Sequence, residues 1–317
     1  MRIVNDITEL IGYTPMIRIN RFGPDAGEVF GKLEAFNPGR SIKDRVALSI
    51  INEAEQRGVL FPGATIVEAT SGNTGVGLAL VAAAKGYRLI VIMPESMSQE
   101  RKDILRAYGA ELLLTPAKEG MSGSLRKMEE LLAENPTYIA AGQFTNPANP
   151  EAHRRTTAHE ILSQTDGKID AIVAGIGTGG TITGIGEVLK DQIPGILVVG
   201  VEPAGSAVLS GGACGPHMLQ GIGAGFVPEV LNRAILDRVI PVQDHEAYLT
   251  MTRLAQREGV LAGISSGAAV FAAGKIAKEL GPGKRVVAIL PDTGERYLSM
   301  DAYFKLQLRR KGISLND

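Results

Sequence analysis

In Asn37-Pro38-Gly39-Arg40-Ser41-Ile42-Lys43-Asp44-Arg45 a turn passes into an amphipathic stretch, so Lys43 falls near the N-terminus of a helix. A protonated lysine there is mildly disfavoured, because the helix dipole puts its positive end at that point. As a solvated cation Lys43 would simply tolerate the place. As a neutral amine, its pKa lowered by burial or neighbouring cations, it is a nucleophile able to form a Schiff base with an aldehyde cofactor.

The run Thr70-Ser71-Gly72-Asn73-Thr74-Gly75 has the composition of an anion site. It stands between an apolar run ending near Glu68-Ala69 and a long apolar stretch with helical spacing. Two glycines let a ligand approach the backbone, and N–H groups at the helix start, joined by the hydroxyls of Thr70, Ser71 and Thr74, can hold a carboxylate. Helix capping would account for one hydroxyl, not for four polar side chains in six positions.

A second loop, Gly175-Ile176-Gly177-Thr178-Gly179-Gly180-Thr181, also lies between a strand-like run and a helix. Its backbone amides and the helix dipole suit a phosphate. Gly175, Gly177 and Gly180 also match the G-x-G-x-x-G dinucleotide fingerprint, and Glu202 stands about where a ribose-binding acid would. Gly263-Ile264-Ser265-Ser266-Gly267-Ala268 opens a further helix. One of its serines either caps that helix or offers a neutral hydroxyl to a ring nitrogen.

Strand and helix signals alternate around these loops. Short apolar runs at 66–67, 89–93, 112–114, 171–174, 197–201 and 286–290 predict buried strands, and stretches at 43–57, 73–86, 99–108, 122–134 and 151–163 carry helical spacing. That alternation predicts α/β architecture with parallel, doubly wound sheets. The pattern restarts after Asn146-Pro147-Ala148-Asn149-Pro150, whose prolines can neither extend a helix nor pair in a central strand. The division expected is an N-terminal domain at 1–145 and a C-terminal domain at 146–317 that holds the phosphate.

With 317 residues the chain has room for two domains, and 44% apolar against 21% charged residues is an ordinary globular balance. Interspersed, nearly cancelling charges argue against a nucleic-acid partner. The longest apolar run, 75–84, is about half of the ~20 residues a membrane span needs. One cysteine, Cys214, and acidic residues at Asp6 and Glu9 where a secretory signal would be apolar point to the cytoplasm. No metal is expected. Ser163 stands where a zincin helix beginning at His159-Glu160 would place its second histidine, Cys214 and His217 lack a second pair, and His153 and His245 read as surface residues.

Taken in order, Asn37-Pro38 with 41–45, then 70–75, 177–181, Gly221-Ile222-Gly223-Ala224-Gly225, Ser265-Ser266-Gly267 and Pro291-Asp292-Thr293-Gly294-Glu295-Arg296-Tyr297 resemble the O-acetylserine sulfhydrylase (cysteine synthase) family along essentially the whole chain. The resemblance implies fold type II of the pyridoxal-phosphate enzymes: two α/β domains with pyridoxal 5′-phosphate in the cleft between them, the first strands pairing with the second domain, about 45–145 forming the smaller mobile part, and usually a homodimer. It implies Lys43 as the Schiff-base lysine and general base, Asn73 on the cofactor's 3′-oxygen, and Gly177, Thr178, Gly179, Gly180 and Thr181 on its phosphate. Ser265, or its neighbour Ser266, would meet the pyridine nitrogen. Thr70, Ser71, Gly72, Thr74 and Gln143 would bind the substrate's α-carboxylate, with Gly223 lining the amino-acid side.

The reaction so implied replaces the acetoxy group of O-acetyl-L-serine by sulfide, giving L-cysteine and acetate by ping-pong kinetics through an aminoacrylate. No cation occurs in 220–226, which disfavours O-phosphoserine or thiosulfate. A cystathionine β-synthase of the larger kind would carry a haem-binding segment and a regulatory domain. Two readings of other classes are an NAD-binding oxidoreductase using the 175–180 loop and a regulatory partner for the C-terminal tail of serine acetyltransferase.

Overall fold

The computed structural model describes residues 3–20, 26–310 and 312–313. Among these, ten strands occur: β1 (Met16–Arg18), β2 (Glu28–Leu33), β3 (Thr65–Ala69), β4 (Arg88–Pro94), β5 (Glu111–Thr115), β6 (Ile139–Ala140), β7 (Ala171–Gly175), β8 (Leu197–Pro203), β9 (Arg238–Val242) and β10 (Arg285–Leu290). The chain forms two compact units. One comprises residues 37–152 and the segment ending at Ile11; the other comprises Gly12–Phe36 and the chain from His153 onward.

The first unit holds a parallel sheet in the order β5-β4-β3-β6. From β3 the chain winds outward through β4 to β5, then returns to place β6 on the other side of β3. The order therefore reverses between β3 and β6, and in open parallel sheets ligands bind beyond the carboxyl ends of the strands at such a point. The helix Asn73–Lys85 joins β3 to β4. Made of Ala, Leu, Val and Gly, it is buried from Thr74 to Ala82, as expected of a helix that is apolar all round.

The second unit holds six strands in the order β1-β2-β10-β7-β8-β9, parallel except for the antiparallel pair β1 and β2. Here the reversal falls between β7 and β10. Helices Gly180–Gln192 and Ile264–Leu280 belong to this unit, the latter buried over most of its length. A core of Val173, Val199, Val201, Ala268, Ala272, Val286 and Ala288, all buried, joins sheet to helix.

The helix expected at 151–163 is interrupted. Residues Ala148–Ala152 and Ala158–Thr165 are α-helical, and His153–Thr157 between them is a π-helical turn. His153 is fully buried, which corrects the expectation that it lies on the surface. An extra residue in one turn redirects the side chains that follow, and such turns concentrate at functional sites.

Candidate active site

Lys43 is the first residue of the helix Lys43–Gln56, and it is partly buried, while Ser41, Asp44 and Arg45 around it are buried. A tight turn precedes it. Arg40 adopts φ +64°, a left-handed conformation uncommon for a residue with a side chain, and its N–H donates to the Asn37 carbonyl. Asp44 Oδ2 accepts from the Gly39 N–H at 2.5 Å, and Ser41 Oγ accepts from the Lys43 N–H at 3.2 Å. The start of the helix is thus held by its own side chains.

Gly77 brings Lys43 toward the 70–75 loop. A Cβ at Gly77 would stand 2.8 Å from the Lys43 carbonyl oxygen, so the helix Asn73–Lys85 crosses the first turn of Lys43–Gln56 with backbone against backbone. Asn73 and Thr74 lie one turn before Gly77. The sequence showed Gly77 only as one small residue in an apolar run, and nothing local marks it as a crossing point.

The 70–75 loop leaves the carboxyl end of β3, at the switch point. Gly72 occupies the N-cap of Asn73–Lys85, and no side chain caps that helix. The hydroxyls have other partners. Thr70 Oγ1 accepts from the Gly72 N–H at 3.2 Å, and Thr74 Oγ1 donates to Gln143 Oε1 at 2.6 Å. Gln143 follows β6, so this hydrogen bond joins the two strand ends that flank the reversal. Thr70, Thr74 and Gln143 are buried, whereas Ser71, Gly72 and Asn73 are partly exposed. Arg101, in the helix Gln99–Ala107, donates to the Ser71 carbonyl and braces the loop from outside. Arg101 was not among the residues singled out from sequence.

Beneath the loop lies Glu68 in β3, 2% exposed. Burial pushes its carboxyl up to about 7, against hydrogen bonds from the Gln143 and Gly142 N–H groups that favour the charged form. It also faces Gln143 Nε2 at 3.5 Å.

In the second unit, residues 175–181 leave the carboxyl end of β7, again at the switch point. Gly179 takes φ +84° and caps the helix Gly180–Gln192 with no side-chain cap. A Cβ at Gly177 would stand 2.2 Å from the Gly221 carbonyl oxygen. Thr178 Oγ1 accepts from the Gly180 N–H at 3.4 Å, and the buried His153 reaches Thr181 Oγ1 with Nε2 at 3.2 Å and Thr157 Oγ1 with Nδ1 at 2.9 Å. Gly223 lies beside this loop. Its N–H donates to the Ile176 carbonyl at 2.9 Å, and its own carbonyl faces His217 Nε2 at 3.1 Å.

Ser265 and Ser266 start the helix Ile264–Leu280, which reaches the carboxyl end of β10 through the Gly263 N–H on the Asp292 carbonyl at 3.1 Å. Since β7 and β10 are parallel neighbours, the serines and the glycine loop share one end of the sheet. Gly263 is the N-cap, neither serine caps, and Ser266 Oγ is buried without a hydrogen-bond partner. Glu202 is committed elsewhere. Its two oxygens accept from the Leu209 and Ser210 N–H groups at 2.8 and 3.0 Å, which removes the acid that the dinucleotide reading requires. Among the described residues no group of three or more His, Cys, Asp or Glu could hold a metal ion, and no helix is long and apolar enough to cross a membrane.

Three comparisons bear on this arrangement. The sequence profile of the family described as "Pyridoxal-phosphate dependent enzyme" matches residues 7–292. The cysteine synthase of Staphylococcus aureus is 55% identical over 302 residues, 95% of this chain and 97% of that protein. Among solved structures, the cysteine synthase of Entamoeba histolytica superposes with a TM-score of 0.92 at 44% identity, over 95% of this chain and 91% of that one. An O-ureido-L-serine synthase superposes with 0.91 at 46% identity, over 95% and 96%.

Proposed function

Because the chain belongs to the pyridoxal-phosphate dependent enzyme family, we propose that it makes L-cysteine by replacing the acetoxy group of O-acetyl-L-serine with sulfide and releasing acetate. The observation that carries this reading is the crossing at Gly77, which sets a lysine at a helix start beside a loop of hydroxyls and N–H groups at a sheet switch point.

The residues present fit the cofactor. At Gly177 any side chain would strike the Gly221 carbonyl, so the backbone of 177–181 stays bare for a phosphate, and the buried Ser266 Oγ awaits a polar partner. Bound there, pyridoxal phosphate supplies an aldehyde for amines and a ring that draws electrons from the substrate's Cα. Gly177, Thr178, Gly179, Gly180 and Thr181 hold the phosphate by N–H groups, hydroxyls and the helix dipole. Asn73 hydrogen-bonds the 3′-oxygen. Ser265, or its neighbour Ser266 whose Oγ is buried without a partner, would offer the ring nitrogen a neutral hydroxyl, which does not protonate it as a carboxylic acid would.

Lys43 Nζ would hold the cofactor's aldehyde. As general base, the Lys43 amine would take the substrate's α-proton and later return it to the product, a role worth ~10²–10⁴ in rate. Thr70, Ser71, Gly72, Thr74 and Gln143 bind the α-carboxylate, which orients the Cα–H bond, while Gly223 lines the amino-acid side. The same carboxylate site suits the C-terminal residue of a serine acetyltransferase tail. A cytoplasmic homodimer is the working form we assign.

Borohydride reduction of the purified yellow protein followed by peptide mapping tests this reading: the label belongs on Lys43. In a parallel titration O-acetylserine shifts the visible spectrum, sulfide restores it, and cysteine appears; O-phosphoserine leaves it unchanged. A label on another lysine, or a spectrum indifferent to O-acetylserine, would refute the assignment.

A further inference from the structure

A carboxyl group has no evident business in β3, whose five residues are all buried. Burial pushes the Glu68 carboxyl up to about 7, against hydrogen bonds from Gln143 and Gly142 that favour its charged form. Its position relative to the sheet explains what it faces. The short strand β6 ends at Ala140, the Ala141 N–H still donates to the Val67 carbonyl at 3.0 Å, and then the chain turns away at Gly142 with φ +65°. Beyond that turn the ladder has run out. The N–H groups of Gly142 and Gln143 turn to Glu68 instead, that of Gln143 reaching Oε2 at 3.4 Å, and the Gln143 side-chain amide reaches Oε1 at 3.5 Å.

These contacts fix the orientation of one amide. Gln143 has an oxygen and an NH₂ that a half-turn of the side chain would exchange, and Thr74 cannot choose between them, because a hydroxyl both donates and accepts. An ionised carboxylate only accepts. With Glu68 on one side, the NH₂ must lie toward it and the oxygen toward Thr74, as found at 2.6 Å. One N–H of the NH₂ then serves Glu68 and the second remains for a ligand. Reversed, the amide would turn an oxygen toward an incoming anion.

We propose that Glu68 is a positioning residue for substrate recognition: it holds the turn at 142–143 and sets the Gln143 amide so that it offers a donor to the substrate's α-carboxylate. This rests on the carboxylate site proposed above. Glu68 itself touches neither substrate nor cofactor. Its long contacts leave its ionisation incompletely compensated, so the arrangement is best assayed at pH 8, where the carboxylate form dominates.

The test uses holoenzyme carrying Glu68→Ala, Glu68→Gln, Gln143→Ala and the double substitution Glu68→Ala with Gln143→Ala. KM for O-acetylserine and kcat are measured with saturating sulfide, and calorimetry follows binding of L-alanine, which has the amine and carboxylate and no leaving group. Losing the hydrogen bond to a charged partner corresponds to about a tenfold to hundredfold weakening. Glu68→Ala is expected to raise KM and the L-alanine Kd by that factor with kcat within about twofold, and Glu68→Gln, which keeps an accepting oxygen, to recover most of the loss. Added to Gln143→Ala, Glu68→Ala should cost little more, since the two act as one unit. Native affinity in Glu68→Ala, or costs that add independently, would overturn the proposal. If Glu68→Ala does not fold, the similarly sized Glu68→Met replaces it, with the same outcomes deciding. A native holoenzyme that fails to bind L-alanine would instead refute the carboxylate site itself.

Discussion

Replacing Gly77 by alanine perturbs the proposed chemistry without touching a group that performs it. The new Cβ would lie 2.8 Å from the Lys43 carbonyl oxygen, 3.0 Å from its carbon and 3.2 Å from the Asp44 nitrogen, where ordinary contact begins at 3.4 Å. All three atoms are backbone, so no rotamer change relieves the clash, and the two helices must part by about 0.6 Å. Overpacking of this kind costs ~1–3 kcal/mol, partly offset by the ~1 kcal/mol that alanine gains over glycine inside a helix. The catalytic effect is larger in proportion. Lys43 begins the displaced turn, and because a misplacement of 1 Å can cost ~10² in rate, about half that shift should lower kcat roughly tenfold. Gly274 supplies the control. It lies inside the helix Ile264–Leu280 with nothing within 4 Å of its ideal Cβ, and Gly274→Ala should raise stability by ~0.5–1 kcal/mol at native kcat. Thermal melts, cofactor content and steady-state kcat are measured on both. Native kcat in Gly77→Ala, with a melt no lower than that of Gly274→Ala, would show that the crossing does not position the lysine.

Gly177→Ala places a Cβ 2.2 Å from the Gly221 carbonyl, so the loop must open; the expected result is loss of bound cofactor on dialysis, read from the visible spectrum, in a protein whose far-ultraviolet circular dichroism is native. Glu68, raised from 4.5 to about 7 by burial, binds a proton more tightly folded than unfolded. Its neutral form therefore contributes stability that is complete below about pH 4.5 and is lost as pH rises through about 7, of order 3 kcal/mol, and denaturant melts at pH 5 and pH 8 should show that fall in the native protein and a smaller one in Glu68→Gln. Phe304 stacks on the buried Tyr248 at 4.6 Å between ring centroids. Phe304→Ala should cost ~3–5 kcal/mol and speed hydrogen exchange across the helix Asp301–Arg310; unchanged exchange there would mean that the stack does not hold the helix.

Much of this protein was legible in its sequence because the signals are local. Runs such as 89–93, 171–174 and 286–290 became β4, β7 and β10, since an uninterrupted apolar run of that length has little use except as a strand covered on both faces. The loops at 70–75 and 175–181 announced themselves by glycines and hydroxyls at strand-to-helix junctions, and they stand at the reversal points of their sheets. Other elements gave no such signal. β2 reads Glu-Val-Phe-Gly-Lys-Leu, and its lysine, Lys32, is fully buried because Glu160, 128 residues away, accepts from it at 2.6 Å, with the Thr14 carbonyl and Gln164 completing its contacts. β9 contains Pro241, tolerable because the strand lies at the edge of its sheet. β6 has only two residues, and its existence depends on pairing with Ile66 and Val67.

Local chemistry was thus determined by the sequence alone: which long apolar runs are strands, where an amine and two loops rich in glycine and hydroxyls fall at strand-to-helix junctions, and which family the order of those loops resembles. The tertiary structure decided what each group meets. That Gly77 admits the Lys43 backbone, that His153 lies inside beside Thr181, that Glu202 serves a loop and that Glu68 faces Gln143 all depend on partners distant in sequence. Residue type sets what a group can do; only packing sets its neighbours, its burial and, for a carboxyl such as Glu68, its charge.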